Sequence, residues 1–430
     1  MRILVIGAGV AGMTAAYSLT LSGHQVTVLD REPIAGNGAS FANGAQLSYS
    51  YVAPLAAPGV ARKALGWMLD ADAPLRLHAR IDPAQWRWLL DFLRCCTAER
   101  FAATTVELLG LGAYSRRMVH RLMQREALDF CWRMNGKLVV YRDAKDLAGA
   151  AEVVRLQARH GSEQEVLDAD QCLALEPALE ALRGVLAGGI HTPSEEVGDA
   201  HRFCRELQRV LEAQGAQFLF GRKALRVLIS GGQAVGVETM EGPLHADALV
   251  LAGGAAAVHL LRPLGIRLPI YPLRGYSLTL PVEPWHSSPR ISITDAHHKI
   301  VYAPLQDRHV HQLRVAGMVD LAGENTSQPA RRLETLARQA EAAFPAAADW
   351  SRAKTWAGLR PATPDSKPII GTSGIPGLWL NVGHGALGFT LAPATAQLLA
   401  DMIDGEAPAL DPAPFALARP TTAQSVAATA

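Results

Sequence analysis

The run Arg2 to Ile6 is apolar after its first residue and rich in β-branched side chains, the pattern of a strand buried on both faces. Gly7-Ala8-Gly9-Val10-Ala11-Gly12 interrupts it. The following MTAAYSLTLSG has helical periodicity and ends at Gly23, a candidate C-cap. HQVTVLD then reads as a second strand closing on Asp30, so a βαβ unit of about 30 residues opens the chain.

Beyond it, residues 56–135 read as largely helical, with tryptophans at Trp67, Trp86 and Trp88. GKLVVYRD (136–143) predicts a strand, and AKDLAGAAEVVRLQARHG an amphipathic helix ending at Gly161. A helix from near Asp199, the strand AQFLFG, a hairpin turning at Gly231-Gly232 and the strand ADALVLAGG come next. From Pro269 to Met318 the segments IYPLRGYSLTL, RISITD, KIVYAPL and HQLRVAGMV predict antiparallel strands of one sheet. A helix over 331–344 follows, and GLWLNVGHGALGFTLAPATAQLLADMIDG predicts strand, glycine loop and helix. The Ala/Thr/Pro-rich tail after about residue 411 reads as disordered at its end. Strand, glycine-turn and helix units of one kind thus fall at both ends and in the middle, which predicts interleaved domains.

Composition narrows the function classes. The 430 residues suffice for two domains, and a net charge of +1 without any basic block argues against a nucleic-acid partner. Five scattered cysteines form no metal-ligand spacing, so reduced thiols and no metal site are expected. The N-terminal apolar run breaks too early for a secretory signal, and Ala246–Leu261 is too short and glycine-broken to span a bilayer. A soluble cytoplasmic protein is expected, with peripheral contact at the cytoplasmic face of the inner membrane as a second reading.

The glycine loop has the context that a dinucleotide fingerprint needs: a strand before it, a helix after it and an acidic residue at the end of the next strand. Gly7 allows the tight turn, Gly9 the approach of a pyrophosphate and Gly12 close helix–strand packing. The helix start at Val10 and Ala11 offers N–H groups to phosphate. Asp30 suits a ribose 2′-hydroxyl and would repel a 2′-phosphate. The choice between NAD and FAD rests on NVGHGALGFTLAP, where Gly383, Gly385 and Gly388 precede a helix starting near Phe389-Thr390. Such an anion-attracting helix end suits the negative charge of a reduced flavin and offers an oxidised nicotinamide nothing.

The segments VTVLDREP, FANGAQLS, YVAPLAAPGVARKALGWM, YPLRGYSLTL, WAGLRPATPDSKPIIG and LWLNVGHGALGFT carry a resemblance over nearly the whole chain. The sequence resembles the FAD-dependent D-amino-acid oxidase superfamily, and within it the D-amino-acid dehydrogenases of the small-subunit type. The resemblance implies an α/β, two-domain FAD-dependent amine oxidoreductase fold, with a Rossmann-like FAD domain and an antiparallel-sheet substrate domain. It assigns residues 1–60, 190–266 and 352–416 to the first, 61–189 and 267–351 to the second, and 417–430 to a tail. It implies that Asp30 and Arg31 meet the adenosine end, while Ser40, Asn43, Gly44, Gln46 and Leu47 run past the ribityl chain and flavin. Ala224 would contact adenine, Ala252 and Gly253 would line the cofactor, and Gly385, Ala386, Leu387, Gly388, Phe389 and Thr390 would sit at the flavin pyrimidine. With no cysteine after Cys204 and no histidine in GNGASFANGAQLS, FAD is expected to be non-covalent.

Flavin-dependent amine oxidation is mainly a problem of orientation, and a guanidinium fork holds an α-carboxylate better than a lysine can. By resemblance, the arginine of GLRP does this, and Arg360 is the matching residue; a structural pair with Asp365 is the competing reading. Tyr302 stands where related glycine oxidases place an active-site tyrosine, against an ordinary half-buried sheet tyrosine. Tyr51, Tyr276, His298 and His384 are weaker pocket candidates, each as consistent with packing. The expected reaction is oxidative deamination of D-amino acids to 2-oxo acids and ammonia, with hydride transfer from Cα to flavin N5 and electrons passed to a quinone or other acceptor. Competing readings are a D-proline or hydroxy-D-proline dehydrogenase, a glycine/sarcosine-type oxidase, a nicotinamide enzyme and a non-catalytic flavin-binding protein.

Overall fold

The computed structural model describes residues 1–60 and 72–419; Trp67 lies outside the described residues. Strand β1 (Arg2–Ile6), helix α1 (Val10–Leu21) and β2 (Gln25–Leu29) form the opening βαβ unit. They join β9 (Gln217–Leu219), β13 (Ala248–Leu251), β19 (Ile369–Thr372) and β20 (Leu378–Val382) in a six-stranded sheet of order β19-β20-β13-β1-β2-β9. The sheet is parallel except for the antiparallel edge strand β19.

Strand periodicity explains how it is covered. Ile3, Val5, Val26, Val28, Ala248 and Val250 face one core, shared with α1, α6 (Ala200–Ala213) and α9 (Gly388–Asp404). Leu4, Ile6, Leu29, Leu249 and Leu251 face the other. That second core also holds residues of the antiparallel sheet β10 (Arg226–Ser230), β11 (Gln233–Thr239), β12 (Gly242–His245) and of α7 (Ala257–Leu261). Gly231 and Gly232, both at positive φ, turn the β10–β11 hairpin as expected. The most membrane-like stretch of the described residues is Gly385–Asp404, not Ala246–Leu261, and it is mostly buried, in contact with α1 and with α3 (Ala98–Arg125).

The second sheet has nine strands. Its order is β18 (Lys354–Ala362), β14 (Tyr271–Pro281), β17 (His311–Leu321), β16 (Ile300–Gln306), β15 (Ser292–Asp295), β5 (Lys137–Tyr141), β7 (Gly188–Thr192), β6 (Glu165–Leu167), with β4 (Leu75–Leu77) beside β17. The four strands read from 269–318 are β14 to β17. The others join from distant segments, β5 parallel to β15 and β4 parallel to β17. One face packs on α8 (Ala330–Ala343). The other closes over the C-terminal edge of the six-stranded sheet, where β3 (Gln46–Leu47) and β8 (Glu196–Val197) pair. The region expected to be largely helical contains α2 (Pro83–Cys95), capped by the Asp82 side chain, and α3, capped by Thr97, but also β4. Helices α4 (Ala144–Ala158) and α5 (Ala169–Leu175) complete this half of the chain.

Candidate active site

A cavity of about 1690 Å³ runs from the first glycine turn, between the two sheets, to the inner face of β18. It exceeds the roughly 300–1,000 Å³ usual for small-molecule pockets, leaving room for a dinucleotide and a substrate together. At one end, Gly7 has φ +114°, and a Cβ there would stand 2.6 Å from the Ala252 carbonyl oxygen. A Cβ on Gly12 would stand 1.7 Å from the Gly7 carbonyl oxygen, so its glycine serves packing and does not line the cavity. The Asp30 carboxylate accepts from the Ala8 N–H at 2.5 Å and the Glu32 N–H at 2.8 Å, pinning the turn to the end of β2. Burial raises its pKa and those two bonds oppose the rise. Each oxygen retains a lone pair for a ligand. Arg31 is largely exposed and pairs with Glu32 at 3.5 Å.

Two helices of twelve or more residues start at this cavity without a side-chain cap and without an acidic residue in the first turn: α1 after Gly9, and α9 after Leu387. Their positive ends suit a pyrophosphate and an electron-rich ring respectively. Ser40 Oγ accepts from the Val10 N–H at 3.2 Å and braces the first of them. Asn43 Oδ1 accepts from the Ala45 N–H at 2.9 Å, stabilising Ala45 at φ +56°. A Cβ on Gly44 would stand 3.3 Å from Val301 Cγ2, so backbone and sheet approach closely here. Ala224, Ala252, Gly253 and the segment Gly385 to Thr390 also line the cavity, whereas the Leu47 side chain turns into the helical core. These features fit FAD.

At the other end stands Arg360 on β18, opposite Leu273 of β14. Its guanidinium lies flat on Gly275: a Cβ there would stand 2.7 Å from Nη2, 2.8 Å from Nε and 2.9 Å from Cζ. Among the described residues the Arg360 guanidinium has no hydrogen bond or ion pair, and burial alone pulls its pKa down. Asp365, the alternative partner, is held by Arg419 at 2.9 Å. An unpaired guanidinium this deep calls for an anion. The walls around it are apolar, with Trp88, Phe92, Leu273 and Trp356 on the lining. Trp356 folds back over Gly358, where a Cβ would meet its ring at 2.1 Å.

Two sequence expectations need correction. Tyr302 does not face the cavity. Its neighbour Val301 does, so strand alternation sends Tyr302 to the opposite face, where its ring packs against Phe344 at 4.5 Å between centroids. Burial raises the pKa of its hydroxyl, which has no hydrogen-bond partner among the described residues. His298 is also outside the cavity, in the turn after β15, with Nδ1 3.0 Å from Asp295. Tyr276 reaches the lining at a register shift after Gly275, but its hydroxyl donates to Asp320 at 2.7 Å. His384 lines the cavity, hydrogen-bonds Thr395 at 3.0 Å through Nε2, and is pushed by burial down to about 4, so it is neutral near pH 7. Tyr51 lines the cavity with its ring over a buried lysine, Lys137. Neither Lys137 nor Gly275 was identified from the sequence. A glycine inside the strand motif PLRGYSL was the available signal for Gly275; a lysine at a strand start signals exposure, not burial.

A family model described as FAD dependent oxidoreductase matches residues 2–402, and the chain belongs to that family. Its cofactor is FAD. It is 48% identical over 429 residues to D-amino acid dehydrogenase 2 of Ralstonia nicotianae, covering 97% of this chain and 100% of that protein. It is 47% identical over 412 residues to D-amino acid dehydrogenase 2 of Pseudomonas aeruginosa, covering 95% and 96%. Among solved structures, glycine oxidase from Geobacillus kaustophilus superposes with a TM-score of 0.77 at 20% identity, covering 98% of this chain and 100% of that one. L-proline dehydrogenase from P. horikoshii gives 0.75 at 17%, covering 97% and 96%. At such identities these two speak for the fold alone: the expected α/β fold pairing a Rossmann-like sheet with an antiparallel one.

Proposed function

We propose that this protein oxidises D-amino acids to 2-imino acids, which water converts to 2-oxo acids and ammonia. The observation that carries this reading is the unpaired Arg360 guanidinium at the apolar end of a dinucleotide-sized cavity, in a chain nearly half identical to named D-amino acid dehydrogenases. FAD, when bound, supplies the two-electron acceptor. The α1 turn with Asp30 would hold its adenosine and pyrophosphate, Ser40 to Gln46 its middle, and Gly385 to Thr390 its ring. Arg360 grips the α-carboxylate in a two-point fork, Gly275 lets the guanidinium lie flat, and the apolar walls keep water from the reacting carbon. The cyclic-imino-acid and glycine-type readings drew on Tyr302, and with that hydroxyl on the far face of the sheet they lose their specific support.

A quinone is the acceptor in this reading, reached from the cytoplasmic side of the inner membrane. Its support is the rim of the cavity at α2, where Trp86, Leu90 and Leu93 are exposed apolar side chains, with exposed Ile81 just before the helix. The test supplies ubiquinone in phosphatidylethanolamine/phosphatidylglycerol vesicles with D-alanine. Quinone reduction should far exceed peroxide formation, and Ile81→Asp should slow it while leaving turnover with a water-soluble dye unchanged. Peroxide formation that matches quinone reduction would reject the acceptor assignment.

A further inference from the structure

Lys137 opens β5 and is 1% exposed, an uncommon position for a residue that is seldom buried without partners. Its Nζ donates to Gln46 Oε1 and to Ser48 Oγ, both at 2.9 Å, and lies 4.0 Å from the centroid of the Tyr51 ring. Burial pulls its pKa down to about 8 and the charge of buried Glu195 opposes the shift, so the ammonium form dominates near pH 7. All four side chains, Gln46, Ser48, Tyr51 and Lys137, line the cavity. The Ser48 N–H in turn donates to Thr390 Oγ1, in the first turn of α9, at 3.0 Å.

One serine therefore joins a buried ammonium, its charge partly offset by buried Glu195, to the uncapped N-terminus of α9, and both adjoin the part of the cavity beside β3. Along the sheet, Lys137 on β5 lies five strand intervals from Arg360 on β18, so it is not part of the carboxylate clamp. Two sources of positive charge built around β3 suit an anion other than the substrate carboxylate. With the flavin ring beside Gly385 to Thr390, as in the reading above, the group there that would become negative is that ring on reduction.

We propose that Lys137 is a positioning residue that, with the N-terminus of α9, stabilises the negatively charged reduced form of the bound FAD and so raises its reduction potential. The proposal rests only on FAD occupying this cavity. Its test uses sulfite, which adds to an oxidised flavin and leaves a negative charge on the ring; no amino acid takes part, so its failure leaves the D-amino-acid reading standing.

The measurements are the sulfite dissociation constant and the midpoint potential of the FAD-loaded protein. Lys137→Met should weaken sulfite binding by about tenfold or more and lower the potential by roughly 30 mV, the equivalent of tenfold for a two-electron couple. Lys137→Arg, which keeps the charge, should stay close to wild type. If the methionine variant fails to fold or take up FAD, Glu195→Gln, measured at pH 6 to keep Lys137 charged, serves instead: removing the opposing carboxylate should tighten sulfite binding. Unchanged sulfite affinity and potential in a loaded Lys137→Met protein, or in Glu195→Gln, would reduce Lys137 to a strut for β3 and overturn the proposal.

Discussion

Replacing Arg360 with alanine raises the half-saturating concentration of a D-amino acid by about 30-fold to several thousand-fold, while the FAD content of the purified protein is unchanged. Removing one partner of a desolvated, hydrogen-bonded charge pair costs about 2–5 kcal/mol, some 30-fold to several thousand-fold in affinity. The loss should fall on substrate rather than cofactor, because Arg360 stands on β18, remote from the glycine turn and Asp30. Arg360→Lys should recover only part of it, since an ammonium cannot make the planar two-point contact. Steady-state kinetics with a soluble dye, alongside the flavin-to-protein absorbance ratio, provides the check. Parallel losses of FAD and of substrate affinity would mean that Arg360 is structural.

Gly275→Ala should lower kcat/KM by about 100-fold without unfolding the protein. The added methyl would sit 2.7–2.9 Å from three atoms of the Arg360 guanidinium, so the flexible end of that side chain must yield. Gly275 itself does not occupy the left-handed region, so the backbone accepts alanine. What is lost is position, and displacing a reacting group by about 1 Å is enough for a loss of this size. A double-mutant cycle separates this from general damage: in an Arg360→Ala background the Gly275→Ala change should cost almost nothing. Additive losses would show that the glycine acts independently of the arginine.

The parts of this molecule that were legible in the sequence are those whose signals are local. The strand, glycine turn, helix and second strand up to Asp30 are specified by neighbouring residues, and Arg360 stands within a short motif. Tyr302 was misplaced because IVYAPLQ is apolar almost throughout. Both faces of β16 are covered, so no alternation marks which one meets the cavity. Lys137 was invisible for a different reason. Its burial depends on β5 pairing in parallel with β15, whose residues lie about 155 positions further along the chain, and on β3 crossing above it. His298 looked available only until Asp295, three residues earlier, closed the turn on it. Gly275 shows the intermediate case, where a strand glycine signalled close approach but not what approaches.

The central claim is that this cavity presents the Cα of D-amino acids to FAD through Arg360. Anaerobic mixing of the FAD-loaded protein with matched D- and L-amino acids, followed by the flavin absorption, tests it most directly. The D-series should bleach the flavin and the L-series should leave it oxidised. Equal bleaching by both series, or none by the D-series, would contradict the account.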